Sequence, residues 1–172
     1  MKKVLVVGCP GGGKTEFSKK LAQKTGLPLI HLDYYYHDKS KNYYSEVNKK
    51  AWYAEVRELM QGKSWIMDGN YSSTFPERFK AADSIFFFDL ALHSRLWGVF
   101  QRRWHFRNKK RPDMPADWQE KIDWAFLWFV IKFRIFYRHK ITDIIAQNPN
   151  KTVITFQSRR DSQKYLDSIK LA

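Results

Sequence analysis

Residues 8 to 15 read Gly-Cys-Pro-Gly-Gly-Gly-Lys-Thr, a gapless match to G-x-x-x-x-G-K-[ST]. Glycines at this density let the backbone turn its N–H groups inward around phosphate oxygens, where side chains would block the approach. In such a loop Lys14 reaches the outer phosphates and the Thr15 hydroxyl ligates Mg²⁺. Gly8, Gly11, Gly12 and Gly13 are the backbone part of the cradle, and the helix predicted to follow offers its N-terminal dipole to the anion. The chemistry implied is binding of a nucleoside triphosphate, ATP first among them, with Mg²⁺. Cys9 lies inside the loop and reads as a small filler residue, because nothing else in the chain resembles thiol chemistry.

Three aspartates come next, each at the end of an apolar run: Asp33, Asp68 and Asp89. Ligands of open parallel sheets bind beyond the carboxyl ends of the strands. Ile66-Met67-Asp68-Gly69 has the apolar-apolar-Asp form that holds Mg²⁺ beside a phosphate loop, so Asp68 and Thr15 are the metal candidates. Asp33 lies where it could orient or deprotonate an attacking hydroxyl. Asp89 reads more simply as a turn residue. The five histidines show no metal-ligand spacing and receive no role.

Positioning these groups requires strands that alternate with helices. Short β-branched or apolar runs predict strands at 3–7, 29–32, 64–67, 84–88 and 152–156. Helical periodicity predicts helices at 15–24, 48–60, 93–106, 122–146 and 161–169. This alternation implies an α/β chain with a parallel sheet covered on both faces. The 172 residues suit one domain, 1–172, with a sizeable core.

The chain carries 31 Lys and Arg against 17 Asp and Glu, a net charge of +14, and 17% aromatic residues. So much aromatic mass excludes a disordered basic tail. The longest apolar run, Ala125 to Ile131, is too short for a membrane span. Val4 to Val7 is too short for a secretory leader, and one cysteine forms no internal disulfide. A cytoplasmic protein is the expectation. The segment 95–140 holds twelve Lys and Arg and four Asp and Glu, so it supplies +8 of the excess, along with five of the seven tryptophans.

Gly8 to Thr15, His31-Leu32-Asp33 and residues 65–71 (Trp-Ile-Met-Asp-Gly-Asn-Tyr) resemble small P-loop kinases of the adenylate kinase and shikimate kinase type. Asp68-Gly-Asn-Tyr-Ser-Ser73, Asp83 with Asp89, and Arg111-Pro-Asp-Met114 are similar to the bacterial family of DNA topology modulation proteins. The resemblance covers nearly the whole chain. It implies a three-layer α/β/α fold with a five-stranded sheet of order 2-3-1-4-5. It implies transfer of the γ-phosphoryl group of ATP to a small acceptor such as a nucleoside, nucleotide or metabolite. The acceptor region would be residues 34–60 and the lid residues 104–120.

The resemblance also assigns roles by position. Lys14, Asp33, Arg103 and Arg111 become the catalytic candidates, with Arg102 and Arg107 behind them. Adenylate kinases follow their Asp-Gly with aromatic-Pro-Arg where this chain has Asn70-Tyr71, so Arg78 stands as the substitute for substrate phosphate. Arg134 and Arg138, four apart on the helix after the lid, would point at phosphates. Arg159, or Arg160, would stack on the nucleotide base. Tyr34 to Tyr36, Tyr43, Tyr44 and Trp52 would form either an aromatic wall for the acceptor or a cover for the sheet edge. Phe126, Phe129, Phe133, Phe136 and Ile141 share a helical face and read as core. A second reading, an ATP-binding protein acting on DNA topology, stays open: basic residues interleaved with Trp and Phe also suit a nucleic-acid groove, with Arg107, Lys109, Lys110 and Arg111 at its centre.

Overall fold

The computed structural model describes residues 1–38, 48–107, 113–115 and 123–169. The chain begins with β1 (Lys3–Gly8), the phosphate loop and α1 (Lys14–Thr25). β2 (Leu29–His31) leads directly into α2 (Leu32–Tyr36). Then come α3 (Lys49–Leu59), β3 (Trp65–Asp68), α4 (Phe75–Ala81) and β4 (Ser84–Phe88). After α5 (Leu92–His105), α6 (Trp124–Phe136) and α7 (Arg138–Ala146), the chain ends with β5 (Thr152–Phe156) and α8 (Arg159–Ser168). The five strands form one sheet in the order β2-β3-β1-β4-β5, and every pairing is parallel. The expected fold class and strand order are both observed.

The apolar runs become strands because both faces of the sheet are covered. Val4, Leu5, Val6 and Val7 of the central strand are all fully buried, as are Ile85 and Phe88 beside them. On one face Phe17 of α1 meets Phe86, Phe88 and Phe156 edge-to-face at 4.9–5.4 Å between centroids. Such pairs add to the burial of the rings themselves. Register places the Asp68 carboxylate: Val6 of β1 lies opposite Asp68, and His31 of β2 lies opposite Asp68 on its other side. β1, β2 and β3 thus bring Gly8, His31 and Asp68 to one end of the sheet.

Several elements differ from the sequence reading. Asp33 lies in the first turn of α2, a short helix that Tyr34 to Tyr36 did not announce. The last helix starts at Arg159, because Ser158 and Asp161 form a reciprocal capping box. The helix expected over 122–146 is two helices, α6 and α7, meeting at Tyr137 (φ −117°). The break lets Phe133 and Ile141 both stay buried while Arg138 turns toward Asp89. Phe126 and Phe129 are only partly buried and Phe136 is 48% exposed, so the face read as core is core at Phe133 and Ile141 alone.

The N-terminus is pinned by Asp83. Its Oδ2 accepts the amides of Lys2 (2.7 Å) and Lys3 (2.8 Å), and its Oδ1 accepts the Ser84 hydroxyl (2.6 Å). Burial by itself would push this carboxyl up, but the Ser84 hydroxyl and the two amides together bring it below 3.8. A carboxylate with a depressed folded-state pKa contributes stability above the unfolded value, and that contribution is lost as pH falls through the folded value. Asp83→Ala is expected to cost about 1 kcal/mol at pH 7, the low end for charge-assisted bonds because solvent reaches the group. The difference from wild type should shrink as pH falls through the depressed folded-state value of Asp83. Urea melts over a pH series from 7 downward check both statements.

Candidate functional site

The phosphate loop is held from three sides. Gly8 (φ +128°) is so close to β4 that a Cβ would strike the Phe88 backbone, so a side chain there would force the two strands apart. The Cys9 amide donates to the Phe88 carbonyl (2.8 Å). Asn70, two residues beyond β3, pairs with both backbone groups of Gly8: Oδ1 accepts its N–H (3.0 Å) and Nδ2 donates to its carbonyl (2.8 Å). Arg159 donates through Nη2 to the Gly11 carbonyl (2.8 Å) and the Ser94 carbonyl (3.3 Å), and through Nη1 to Gln101 Oε1 (3.0 Å). The loop is therefore preformed by the neighbouring strands and helices. Cys9 is 1% exposed and burial pushes its thiol up, in keeping with a packing role.

Lys14 curls back over the loop, its Nζ donating to the carbonyls of Gly8 (3.1 Å) and Cys9 (2.9 Å). The Thr15 hydroxyl donates to Asp68 Oδ2 at 2.9 Å. Asp68 is 6% exposed, and His31 Nδ1 lies 3.3 Å from the same oxygen. The α1 N-terminus carries no side-chain cap, so its first amides remain oriented toward the loop. This donor set fits a triphosphate. Among the described residues no group of three or more His, Cys, Asp or Glu could hold a metal alone. Thr15 and Asp68 would therefore share a Mg²⁺ with phosphate oxygens and water, the usual manner for this ion.

A cavity of about 1250 Å³ opens in front of the loop, lined by Gly11 to Thr15, Asp33, Asp68, Tyr71, Arg102, Asp113 and Arg159, among others. That exceeds the usual pocket for one small ligand. In its lining Tyr71 donates its hydroxyl to Asp33 Oδ1 (2.7 Å). Tyr71, Tyr36 and Trp52 form a mutual aromatic cluster with centroids 4.6–5.0 Å apart. Tyr36 and Trp52 thus back Tyr71 up, and Trp52 itself is 3% exposed. Phe75, Phe126, Phe129, Phe133, Tyr137 and Ile141 also line the cavity.

The arginines nominated from the sequence fare differently. Arg111, Lys109, Lys110, Tyr43 and Tyr44 lie outside the described residues. Arg103 does not line the cavity; its neighbour Arg102 does, with its guanidinium carbon 5.5 Å from the Phe126 ring centroid. Arg78 is fully buried. It donates to Thr74 Oγ1 and to the carbonyls of Gly69, Asn70 and Tyr71 at 2.7–3.0 Å. Burial pushes it down to about 9, which still leaves it charged at neutral pH. Its place is under the 69–71 loop, locking Asn70 and Tyr71, and not on a substrate phosphate. Arg138 Nε donates to Asp89 Oδ2 (2.7 Å), and Arg134 Nε lies 3.8 Å from Oδ1. Neither arginine lines the cavity, and Asp89 is an ion-pair partner and more than a turn residue. Arg159 lines the cavity, but its guanidinium is engaged by the loop and α5.

Sequence reasoning missed Asn70, His31, Tyr71 and Gly98. A Cβ on Gly98 of α5 would strike the Gly11 carbonyl and Arg159 Nη2. Gly→Ala inside a helix ordinarily stabilises by up to about 1 kcal/mol. Here Gly98→Ala is expected instead to destabilise by about 1–3 kcal/mol, because backbone has to move. It should weaken nucleotide binding about tenfold. Thermal melts with and without ATP check this; a more stable variant with unchanged affinity would refute the wedge.

No family model matches the chain. The shikimate kinase of Parabacteroides distasonis is 38% identical over 64 residues, 35% of this chain and 37% of that protein. The chain thus matches little more than a third of the length of this curated relative. Among solved structures, shikimate kinase from Acinetobacter baumannii in complex with shikimate superposes with a TM-score of 0.63 at 17% identity, covering 97% of this chain and 92% of that one. The chain has a shikimate kinase-like P-loop fold. An unliganded sugar kinase from Janibacter sp. HTCC2649 also matches, with a TM-score of 0.54 at 15% identity over 97% of this chain and 91% of the other. Among the described residues, no helix is long and apolar enough to cross a membrane.

Proposed function

We propose that the chain is an ATP-dependent small-molecule kinase. The observation that carries this is one cavity whose lining brings together the phosphate loop with Lys14, Thr15 and Asp68 and the Tyr71-held carboxylate of Asp33. A phosphate cradle and a carboxylate that share one cavity are what phosphoryl transfer needs, since the enzyme's main work is to align donor and acceptor. Likeness to shikimate kinase and sugar kinase in fold, and to the former over a stretch of sequence, supports the same reading.

In this reading the loop amides and Lys14 hold the triphosphate. Thr15 and Asp68 hold the Mg²⁺, which when bound neutralises charge on the transferred group. Asp33 accepts the proton of the acceptor hydroxyl as that oxygen attacks the γ-phosphorus. Arg102 on the cavity wall stands near the place where a lid arginine is expected, while the roles of Arg103 and Arg111 rest on the resemblance alone. His31 steadies Asp68 from the acceptor side.

A screen of hydroxyl-bearing metabolites with ATP and Mg²⁺, read as ADP formed per acceptor, tests the proposal. Acceptor-dependent ADP release supports it. Tight, steeply salt-dependent binding of duplex DNA with no acceptor-stimulated turnover would favour the DNA-topology reading instead.

A further inference from the structure

Arg78 of α4 carries a charge to a place that solvent does not reach. It is fully buried, and its Nε donates to Thr74 Oγ1 (2.9 Å). Nη1 donates to the Gly69 carbonyl (2.8 Å), and Nη2 donates to the carbonyls of Asn70 (2.7 Å) and Tyr71 (3.0 Å). The guanidinium carbon lies 5.0 Å from the Phe75 ring centroid. The hydrogen-bond partners are neutral oxygens, so the guanidinium gives up its water without a bonded carboxylate in return. An apolar side chain of similar volume would fill the space at less cost, but it would strand three carbonyls that converge on one point. The charge is therefore required by the backbone of 69–71.

That backbone serves both parts of the site. The Asn70 side chain pairs with Gly8, accepting its N–H (3.0 Å) and donating to its carbonyl (2.8 Å). The same carbonyl accepts Lys14 Nζ (3.1 Å), so Asn70 and Lys14 share one atom of the phosphate loop. The next side chain, Tyr71, donates its hydroxyl to Asp33 Oδ1 (2.7 Å). Lys14, Asp33, Asn70 and Tyr71 all line the cavity. Three consecutive carbonyls thus rest on Arg78, while two side chains of the same segment reach the phosphate loop and the Asp33 carboxylate.

Resting on the kinase reading, we infer that Arg78 is a positioning residue for both reactants: through Asn70 it sets the phosphate loop and Lys14, and through Tyr71 it sets Asp33. It contacts neither reactant itself. Loss of its planar fork should do in one substitution what changes at the Asn70 and Tyr71 contacts do separately.

The test uses variants of the full chain and two readouts. One is calorimetric titration with adenylyl imidodiphosphate, a non-hydrolysable ATP analogue, and Mg²⁺. The other is fluorine NMR of protein carrying fluorotyrosine, in which the resonance missing from Tyr71→Phe belongs to Tyr71. Asn70→Ser is expected to weaken the analogue about tenfold, the upper end for lost neutral hydrogen bonds, and to leave the Tyr71 resonance in place. Asp33→Asn is expected to move that resonance and leave the affinity unchanged. Arg78→Lys, which keeps the charge and loses the fork, is expected to do both. Because Arg78 acts through these contacts, the losses should not add. Arg78→Lys with Asn70→Ser should bind about tenfold more weakly than wild type, not the roughly hundredfold that independent effects give. Adding Asp33→Asn to Arg78→Lys should move the resonance no further. Asp83→Ala, at the opposite end of β1, should lower stability and leave both readouts alone, which separates positioning from general loosening of the fold. Wild-type affinity in Arg78→Lys, an unmoved Tyr71 resonance, or losses that multiply would each overturn the inference. If Arg78→Lys does not fold, Thr74→Val takes its place, since it removes only the acceptor of Nε. It should weaken the analogue about threefold and move the resonance, and unmoved readouts overturn the inference equally. Neither readout needs turnover. A wild-type chain that binds the analogue yet releases no ADP with any acceptor fails the kinase reading, while the same variants still judge Arg78.

Discussion

Lys14→Ala is expected to lower acceptor-dependent ATP turnover by about 10²–10³, the loss typical of removing one preorganised donor from a developing anion. In the structure Lys14 donates to the Gly8 and Cys9 carbonyls, both part of the loop that it would share with a triphosphate. A phosphate oxygen entering the loop replaces or joins those acceptors, and the ammonium then sits against negative charge that grows during transfer. The fold should hardly notice the change. The side chain is only half-buried, and water reaching the cavity can satisfy the two carbonyls. The melting temperature without ligand should therefore stay within a few degrees of wild type, while the stabilisation that ATP confers disappears. Lys14→Arg should not restore activity, since a planar fork cannot replace a compact charge at this depth. Isothermal titration with ATP at two salt concentrations separates this from nonspecific attraction to a chain of net charge +14, which weakens with salt in both proteins. Undiminished turnover in Lys14→Ala would remove the basis of the kinase reading.

What could be read from the sequence depended on whether a signal was local. The phosphate loop was legible because eight consecutive residues carry it, and the strand order came with the resemblance. The carboxylate Asp68 was legible because its strand ends there, and the structure brings it to 2.9 Å from Thr15. Arginines were the least legible residues. A guanidinium at the end of a long side chain can serve the cavity or the scaffold from the same backbone position, and only tertiary packing decides. Arg78 went to three carbonyls, Arg138 to Asp89, and Arg159 to Gly11 and Ser94. Asn70 escaped notice because its partner, Gly8, is 62 residues away. Gly98 escaped because a glycine in a helical pattern shows its reason only when another backbone lies against it. The charge excess has a similar history. A basic segment looked like a single feature, but its described arginines divide: Arg134 and Arg138 pair with Asp89, Arg102 covers the Phe126 ring, and buried Arg95 donates to the Val130 carbonyl.

Asp33→Asn tests the other side of the cavity and is expected to separate binding from chemistry. The amide keeps the size of the side chain, and its oxygen can still accept the Tyr71 hydroxyl that now bonds Oδ1 at 2.7 Å. The cluster of Tyr71, Tyr36 and Trp52 behind it should remain as packed. What is lost is the ability to take a proton, because an amide oxygen is a far weaker base than a carboxylate. General-base assistance contributes about 10²–10⁴ in rate, so kcat should fall by that factor. The ATP dissociation constant should be unchanged, since the loop, Lys14 and Thr15 are untouched. The KM of the acceptor should move by less than tenfold, since Asn still accepts or donates a hydrogen bond to the hydroxyl. Asp33→Ala should differ in a telling way: it also removes the oxygen that accepts the Tyr71 hydroxyl, so acceptor binding should weaken along with kcat. Single-turnover measurement with ATP preloaded reads the chemical step directly. If Asp33→Asn turns over at the wild-type rate, another group takes the proton, and Asp33 only holds Tyr71 in place. If instead ATP binding collapses, the carboxylate belongs to the triphosphate side and the two halves of the cavity have been assigned wrongly.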